Sequence, residues 1–240
     1  MTKTRRIPMA KAPSPMRWPL ATLMLAVTLA ACGGGGSEPQ NVAATADATS
    51  SSRSGGLQAL PSTVATQSLS AAEAASLAFM REEERLAHDV YAQSARRWPV
   101  LPIFANITES EATHTAAVKS LLDRYGLPDP LAGLPEGSFS TPAFQMLYDE
   151  LVAISDLGLI EALTVGVQIE ELDIHDIEAQ KAVVDNEDIL RVYEQLLRGS
   201  RNHLRAYMEA LLLRGGSYVP QYISQEEFDA ILAGPRETGP

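Results

Sequence analysis

Glu111 and His114 place a carboxylate and an imidazole three positions apart inside an apolar run. If this run is helical, the two side chains lie on one face, one turn apart, and can reach a common point. Carboxylate oxygens and imidazole nitrogens are both ligands for transition metals. The pair therefore predicts half of a metal site, and the other half must come from elsewhere in the chain.

Three more residues are candidates for the same centre, each on a different predicted helix. Glu84 shares a stripe at helical spacing with Leu77 and Tyr91, where a buried carboxylate needs a partner. Four-helix bundles with two metal ions take one Glu from each of two helices and Glu-x-x-His from each of the others. Glu170 and His203 stand at comparable places in the second half of the chain. We therefore expect one or two ions of iron or manganese to be bound by Glu84, Glu111, His114, Glu170 and His203.

The second copy of the motif is incomplete, because Ser200 stands where a glutamate is expected, three positions before His203. A serine hydroxyl is a poor ligand for iron or manganese. A second ion can recruit Glu171 or Asp173 instead, bind weakly, or be absent. His88 is expected to lie at the periphery of the centre or to support a ligand.

The first half of the chain predicts a helical hairpin. Ser70 and Glu73 form a capping box that starts the first helix, which ends just before Pro99. The second helix is expected from about Ile103 to Tyr125, with Gly126 as its stop.

The second half repeats this layout. One helix is expected from about Ser155 to Val184, and the last long helix starts within residues 185–188 and ends before Gly215. The connection from Leu127 to Asp156 contains one shorter helix that starts at Thr141. Two helical hairpins joined by a long crossover form the ferritin-like four-helix bundle, so we expect an all-α fold.

Four stretches carry a longer pattern: Phe79 to Glu84, Ile107 to His114, Val165 to Ile174, and Gly199 to Leu204. Glu84 to Ala87 with Tyr91, followed by Glu111 and His114, resembles the first helix pair of rubrerythrin and other ferritin-like di-iron proteins. The four stretches together resemble more closely a bacterial and archaeal family within the ferritin-like group, domain of unknown function 2202. This resemblance spans about residues 69–231. It implies a ferritin-like fold and a candidate metal centre, without an assigned activity.

Each candidate also has an interpretation without metal. Glu111 fits the third position of a capping box that begins at Thr108. Glu84 follows two other acids, and such a run usually forms a solvated face. His203 also fits a core histidine bonded to a backbone carbonyl. Three inward tyrosines are consistent with simple packing or with a redox role beside a metal: Tyr91, Tyr193 and Tyr207.

The first 32 residues are typical of a bacterial lipoprotein signal. A basic leader precedes an apolar segment from Leu20 to Ala31, and Leu29 to Cys32 completes a lipobox. The apolar segment is shorter than the about 20 residues that a membrane span needs. Cys32 is the one cysteine of the chain, so it forms no internal disulfide and is expected to become the lipidated mature N-terminus. Because Gly33 rather than aspartate follows, we expect an outer-membrane anchor that faces the periplasm.

The rest of the chain divides into three segments. Residues 33–68 are rich in Gly, Ser, Ala and Thr and predict a flexible tether. Residues 69–234 predict the ferritin-like helical domain, and residues 235–240 a disordered tail. Without the five basic residues of the leader, 14 Lys and Arg remain against 30 Asp and Glu, a formal charge near −16. This acidity argues against nucleic-acid binding and favours cations, and a homodimer stays open.

Two functions from different classes follow from these features. The first is a lipid-anchored envelope protein with a metal centre, which as an enzyme would oxidise Fe(II) or reduce oxygen or peroxide. The second is a non-catalytic envelope interaction protein with a degenerate metal site. Convergence of the carboxylates of Glu84, Glu111 and Glu170 with the two histidines would favour the first.

Overall fold

The computed structural model describes residues 68–238, and within them every regular element is an α-helix, which confirms the all-α prediction. The signal with Cys32, the tether up to residue 67, and residues 239–240 lie outside the described residues. None of the described helices combines the length and apolarity needed to cross a membrane. The described helices are α1 (Ala71–Arg97), α2 (Ile103–Tyr125), α3 (Pro142–Ser155), α4 (Leu159–Lys181), α5 (Glu187–Leu212) and α6 (Gln225–Ala233).

The ends of the first two helices confirm the local signals of the sequence. The Ser70 side chain accepts from the backbone N–H of Glu73 at 3.1 Å, and Glu73 accepts from the N–H of Ser70 at 2.8 Å. Helix α2 starts at Ile103, directly after Pro102. It stops at Gly126, whose φ of 64° is left-handed and therefore suits glycine.

The expected bounds of α4 are wrong at both ends. Ser155 is the last residue of α3, and the indole N–H of Trp98 donates to its carbonyl at 3.1 Å. Gly158 is extended and separates α3 from α4, as glycine is a poor helix former. At the other end, α4 stops at Lys181, before the β-branched pair at 183–184 that lowers helix propensity.

The four long helices surround a common core. Helix α1 packs against α2, and α4 against α5; α2 also contacts α5, and α1 contacts α4. Helix α3, in the connection between the two pairs, packs against both α1 and α4. The predicted inward stripes of the long helices are buried, which confirms their orientation; they include Leu77, Met80, Tyr91, Leu163, Val167, Ile174, Tyr193, Leu196 and Tyr207.

Two buried acids of α1 hold the starts of other helices. Glu82 accepts from the backbone N–H groups of Ser140 at 2.8 Å and Thr141 at 3.0 Å, where α3 begins. Glu73 accepts from both backbone N–H groups of residues 185–186, at 3.1 and 2.9 Å, where α5 begins. Unpaired N–H groups at a helix start favour an anion, so each carboxylate joins two helices.

The segment after α6 contacts α5 as far as Glu237. Glu237 accepts from Arg201 Nε at 2.8 Å and from Arg205 Nη2 at 2.9 Å, and its backbone N–H donates to Asn202 at 2.8 Å. Composition alone does not reveal such long-range ion pairs. Disorder of residues 235–240 stays a prediction.

Candidate metal centre

The five predicted ligands meet in the interior. Each of the four long helices contributes at least one, and the carboxylates are almost completely buried: Glu84, Glu111 and Glu170 are 1–2% exposed. His203 is 8% exposed, and His114 is partly buried. Each lies on the apolar face of its helix, so the packing that forms the core also brings the polar groups together.

Glu111 lies at the middle of the cluster. Its Oε2 is 3.0 Å from Nδ1 of His114, and its Oε1 is 2.7 Å from Nδ1 of His203. The first contact is the predicted one-turn pair within α2, and the second joins α2 to α5. Glu111, His114 and His203 each offer a ligand atom within 4.8 Å of the others. The capping-box alternative for Glu111 is wrong because α2 starts at Ile103, well before Thr108.

A second carboxylate accompanies each histidine. Glu84 Oε2 lies 3.3 Å from Nδ1 of His114, and Glu170 Oε2 lies 3.4 Å from Nδ1 of His203. The cluster thus has two halves, each with one imidazole and one glutamate. Glu111 is shared between them.

Several ligand atoms of the cluster have no hydrogen-bond partner among the described residues. They are both carboxylate oxygens of Glu84, Oε1 of Glu111 and Nδ1 of His203. The last two are only 2.7 Å apart, but their directions do not permit an N–H···O bond. Buried polar atoms without partners are costly, and a carboxylate oxygen that faces an unprotonated imidazole nitrogen would fit a metal ion. The residues therefore fit the expected ion.

The outer nitrogen of His203 is separately engaged. Its Nε2 is 2.9 Å from the hydroxyl of Ser110 on α2. If this nitrogen carries the proton, Nδ1 presents its lone pair to Glu111 and Glu170, which is the tautomer that a ligand needs. The rings of His203 and His114 are stacked with centroids 5.4 Å apart, so the two imidazoles border one space.

A glycine of α5 makes room for His114. A Cβ at Gly199 would lie 2.4 Å from Cε1 and 2.5 Å from Nε2 of the His114 ring, closer than atoms can approach. A second glycine, Gly166 on α4, similarly leaves space for the ring of Tyr207. Both small residues allow a large ring from a neighbouring helix to pack against the backbone. Gly199 belongs to one of the four stretches of the sequence pattern, but only the structure shows its contact with the His114 ring.

Asp173 is the carboxylate nearest to the incomplete motif. The hydroxyl of Ser200 donates to Oδ2 of Asp173, and its Oδ1 has no hydrogen-bond partner in the described region. Burial raises the pKa of Asp173 well above its usual value, and the charges of Glu84 and Glu170 raise it further. Asp173 is therefore electrostatically coupled to the carboxylates of the cluster. A carboxylate on α4 thus lies beside the position on α5 that lacks one.

The electrostatics of the cluster favour positive charge. Burial raises the pKa of Glu111, but the imidazoles of His114 and His203 outweigh burial and hold it far below its usual value. Burial lowers the pKa of His203, yet Glu170 and Glu111 overcome this and raise it to about 10. Burial raises the pKa of Glu84 to about 7 against the opposing effect of His114. The carboxylates therefore stabilise cations at the points where imidazole nitrogens lie.

Two auxiliary candidates have other partners. Glu171 is completely buried and accepts from the backbone N–H groups of residues 221–223 at 2.6–3.0 Å and from the hydroxyl of Tyr218 at 2.6 Å. It therefore holds a loop rather than the cluster. His88 contacts Asp89 through Nδ1 at 2.7 Å, and the structure does not bring it to the five ligands.

Two tyrosines border the centre. The hydroxyl of Tyr91 donates to Oε1 of Glu170 at 2.6 Å, and its ring lies 5.1 Å from that of Tyr207. The hydroxyl of Tyr207 is buried and has no hydrogen-bond partner among the described residues. Tyr193 is instead satisfied by Ser76 at 2.7 Å. Tyr91 therefore orients Glu170, and Tyr193 has a packing role.

Comparison with known proteins identifies the family of the chain. Residues 73–235 match an uncharacterized protein domain, DUF2202. The chain belongs to the DUF2202 family. It is 48% identical over 178 residues to the uncharacterized protein MJ0754 of Methanocaldococcus jannaschii, across 74% of this chain and 96% of that protein.

A crystal structure is similar as well. Hypothetical protein MJ0754 from Methanococcus jannaschii matches with a TM-score of 0.70 and 47% identity, over 75% of this chain and all of that one. The two chains are therefore similar in sequence as well as in fold. Both the family and this relative carry names that assign no activity.

Sequence reasoning missed part of the acidic interior of this family member. Glu82 and Glu83 were expected on a solvated face, but they are 3% and 5% exposed. Glu82 is satisfied by the start of α3, whereas Oε2 of Glu83 has no hydrogen-bond partner in the described part of the chain. A run of acids on a long helix gives no signal for burial when the covering helix is distant in sequence.

Proposed function

We propose that this protein binds iron or manganese in the core of a ferritin-like bundle. The observation that carries the proposal is the convergence of Glu111, His114 and His203, with unpartnered ligand atoms directed at one buried space. Glu84 and Glu170 complete the ligand set. The pairing of α1 with α2 and of α4 with α5 supports the ferritin-like arrangement.

The geometry supports positions for two ions. Glu84 and His114 would hold one and Glu170 and His203 the other, while Glu111 contacts both histidines. With Asp173, the cluster has four carboxylates, whose charge balances two divalent cations beside neutral imidazoles. Asp173 then takes the role that a glutamate at the position of Ser200 would have.

The chemistry of such a centre is redox. Bound iron or manganese would supply oxidation of Fe(II) or reduction of oxygen or peroxide. The residues of this chain position and tune the site: Tyr91 donates to Glu170, and Ser110 contacts the outer nitrogen of His203. Burial excludes bulk water and keeps the carboxylates ordered.

The location is a separate part of the proposal and rests on the sequence alone. The lipobox at Cys32 supports a lipid anchor in a bacterial envelope, with the helical domain in the periplasm. Mass spectrometry of the mature protein from membranes tests it. A diacylated N-terminal Cys32 is expected, and a mature protein that retains residues 1–31 would contradict the anchor.

The experiment that tests metal binding is elemental analysis after anaerobic reconstitution with Fe(II) or Mn(II). One to two ions per chain are expected in the wild type. Glu111→Ala should weaken binding by more than the about 10- to 100-fold that loss of a supporting contact costs, because it removes the shared ligand. Glu109→Ala is the matched control, since Glu109 is an exposed acid on the same helix.

Two measurements on the wild-type protein can contradict the proposal. A wild-type protein that retains no metal after gel filtration, and gains no thermal stability with Fe(II) or Mn(II), would exclude the centre. That outcome would favour the non-catalytic interaction protein. Equal metal content in both variants would instead exclude Glu111 as a ligand.

A further inference from the structure

Two carboxylates lie between the solvent and the proposed centre, where α1 packs against α4. Glu83 of α1 precedes the ligand Glu84 and is 5% exposed. Asp176 of α4 is one turn after Asp173, and its side chain is 22% exposed. Residues three apart share a helix face, so Asp173 and Asp176 form one row on α4. We call Glu83 and Asp176 the acidic seam.

The seam is continuous with the centre. Glu83 directly precedes the ligand Glu84 in α1, and α1 packs against α4, where Asp173 and Asp176 lie one turn apart. Both aspartates act electrostatically on Glu83, Asp176 more strongly than Asp173. Glu83 therefore lies near the partly exposed Asp176 and near the buried Asp173.

The seam carries unsatisfied polar atoms that a structural role does not explain. Oε2 of Glu83 and Oδ1 of Asp173 have no hydrogen-bond partner among the described residues, although both residues are more than nine-tenths buried. Other buried acids of α1 are fully used: Glu73 and Glu82 hold helix starts. Adjacent buried carboxylates without a cation repel each other and are costly. Their arrangement in a row from the surface inward fits passage of a cation.

The opposite face of the centre, between α2 and α5, carries imidazole and hydroxyl groups instead of carboxylates. There the side chains of His114 and His203 are 12% and 11% exposed, and the hydroxyl of Ser110 covers Nε2 of His203. Imidazole and hydroxyl groups do not attract a cation over distance as carboxylates do. The charge pattern therefore distinguishes the two faces of the centre.

We propose that Asp176 and Glu83 form the entry route of the divalent cation, which passes from the surface between α1 and α4 to Asp173. The inference rests on the proposed metal centre. Asp176 binds the hydrated ion first, where it also contacts His175 at the surface. Glu83 then exchanges carboxylate oxygen for bound water, and the ion reaches the ligands of the core.

Stopped-flow mixing of the metal-free full chain with Co(II), followed by its visible absorption, tests the route. Glu83→Gln and Asp176→Asn are each expected to slow loading about tenfold or more, because carboxylate-lined paths raise association rates by about 10–10³. Final stoichiometry and Kd should change less than about twofold, because a route affects entry and exit alike. High salt should slow the wild type more than the variants.

One variant provides a matched comparison. Glu178→Gln removes an exposed acid from the same helix, beyond the seam, and should load like the wild type. Asp176→Asn replaces a partly exposed group by one of equal size, so it retains the fold even if Glu83→Gln does not.

The contrary results are distinct. Wild-type rates in both seam variants would place entry elsewhere and overturn the proposal. Loss of stoichiometry in Asp176→Asn would make it a ligand and also overturn the route. If the wild type binds no Co(II), Fe(II) or Mn(II) at all, the metal centre itself is refuted, which a difference in rates alone does not do.

Discussion

Glu111 is the residue on which the geometry of the centre depends most directly. Its two oxygens contact different histidines, one on its own helix and one on α5. Glu84 and Glu170, in contrast, each approach a single histidine. Loss of Glu111 should therefore affect both halves, whereas loss of either outer glutamate should affect one half more than the other.

Gly199 leaves room for the ring of His114, and a side chain at this position would displace the ring. Gly199→Ala places a methyl group against the His114 ring, so we expect metal affinity to fall about 10- to 100-fold. The same change should cost the metal-free protein about 1–3 kcal/mol of stability, because the buried ring must shift to admit the methyl group. Calorimetric titration with Mn(II) and urea unfolding measure the two effects separately. Unchanged affinity for Mn(II) beside reduced stability would show that binding does not depend on the position of the His114 ring.

Helices and their starts are the elements that the sequence predicts best. Capping signals, glycine stops and apolar stripes are local, and they placed α1, α2, α3 and α5. The bounds of α4 were wrong because two helices meet there with only a short break. Helix α6 was missed although Ser224 and Glu227 form a start signal, with the Ser224 side chain accepting from the Glu227 N–H at 3.1 Å.

The ligand pattern was predictable for a different reason from its supporting contacts. Glu84, Glu111, Glu170 and His203 lie on apolar stripes, where a polar residue stands out in sequence. The partners of Glu73, Glu82 and Glu171 are far away in the chain, so only the fold reveals them. The role of Asp173 likewise depends on its contact with Ser200, across two helices.

Glu73 links α1 to the start of α5 through hydrogen bonds from backbone N–H groups. Glu73 is held by N–H donors that lower its pKa from 4.5 to about 2, although burial alone would raise it. A lowered pKa means that this contribution to stability is present above pH 4.5 and is lost as pH falls toward 2. Glu73→Gln should therefore cost about 1–3 kcal/mol at pH 7 and much less near pH 2.

Urea unfolding of metal-free protein at both pH values measures this cost. Glu187→Gln is the control, since Glu187 is an exposed acid in the first turn of α5. It should change the free energy of unfolding by no more than about 0.5 kcal/mol. A pH-independent effect of Glu73→Gln would mean that the side-chain charge is unimportant.

At the scale of the whole molecule, ionised Glu84 and Asp173 disfavour folding when no metal ion is bound. Glu84 and Asp173 are buried, and burial raises the pKa of each. The four helices that supply the cluster are the same four that form the core, so binding and folding are coupled. A ligand at 100 times its Kd stabilises by about 2.7 kcal/mol, which is roughly 5–10 °C for a domain of this size.

The substitution Glu84→Gln tests the unfavourable effect of this buried carboxylate on folding. Because the pKa of Glu84 is raised, its unfavourable effect is absent below pH 4.5 and grows as pH rises through about 7. Glu84→Gln should thus stabilise the metal-free protein by about 1–3 kcal/mol at pH 8 and not at pH 4. It should also reduce the rise in Tm caused by Mn(II). Scanning calorimetry with and without Mn(II) measures both, and a destabilised apo variant at pH 8 would contradict the expectation.

Glu170 and Glu171 are neighbours in the chain but point to different places, one to the histidines and one to the loop at 221–223. An alignment shifted by a single position along α4 would exchange a ligand for a loop anchor while still pairing glutamate with glutamate. Distant relatives must therefore be compared with single-residue accuracy, since an insertion or deletion inside this helix would rotate both acids by about 100° and separate them from their partners.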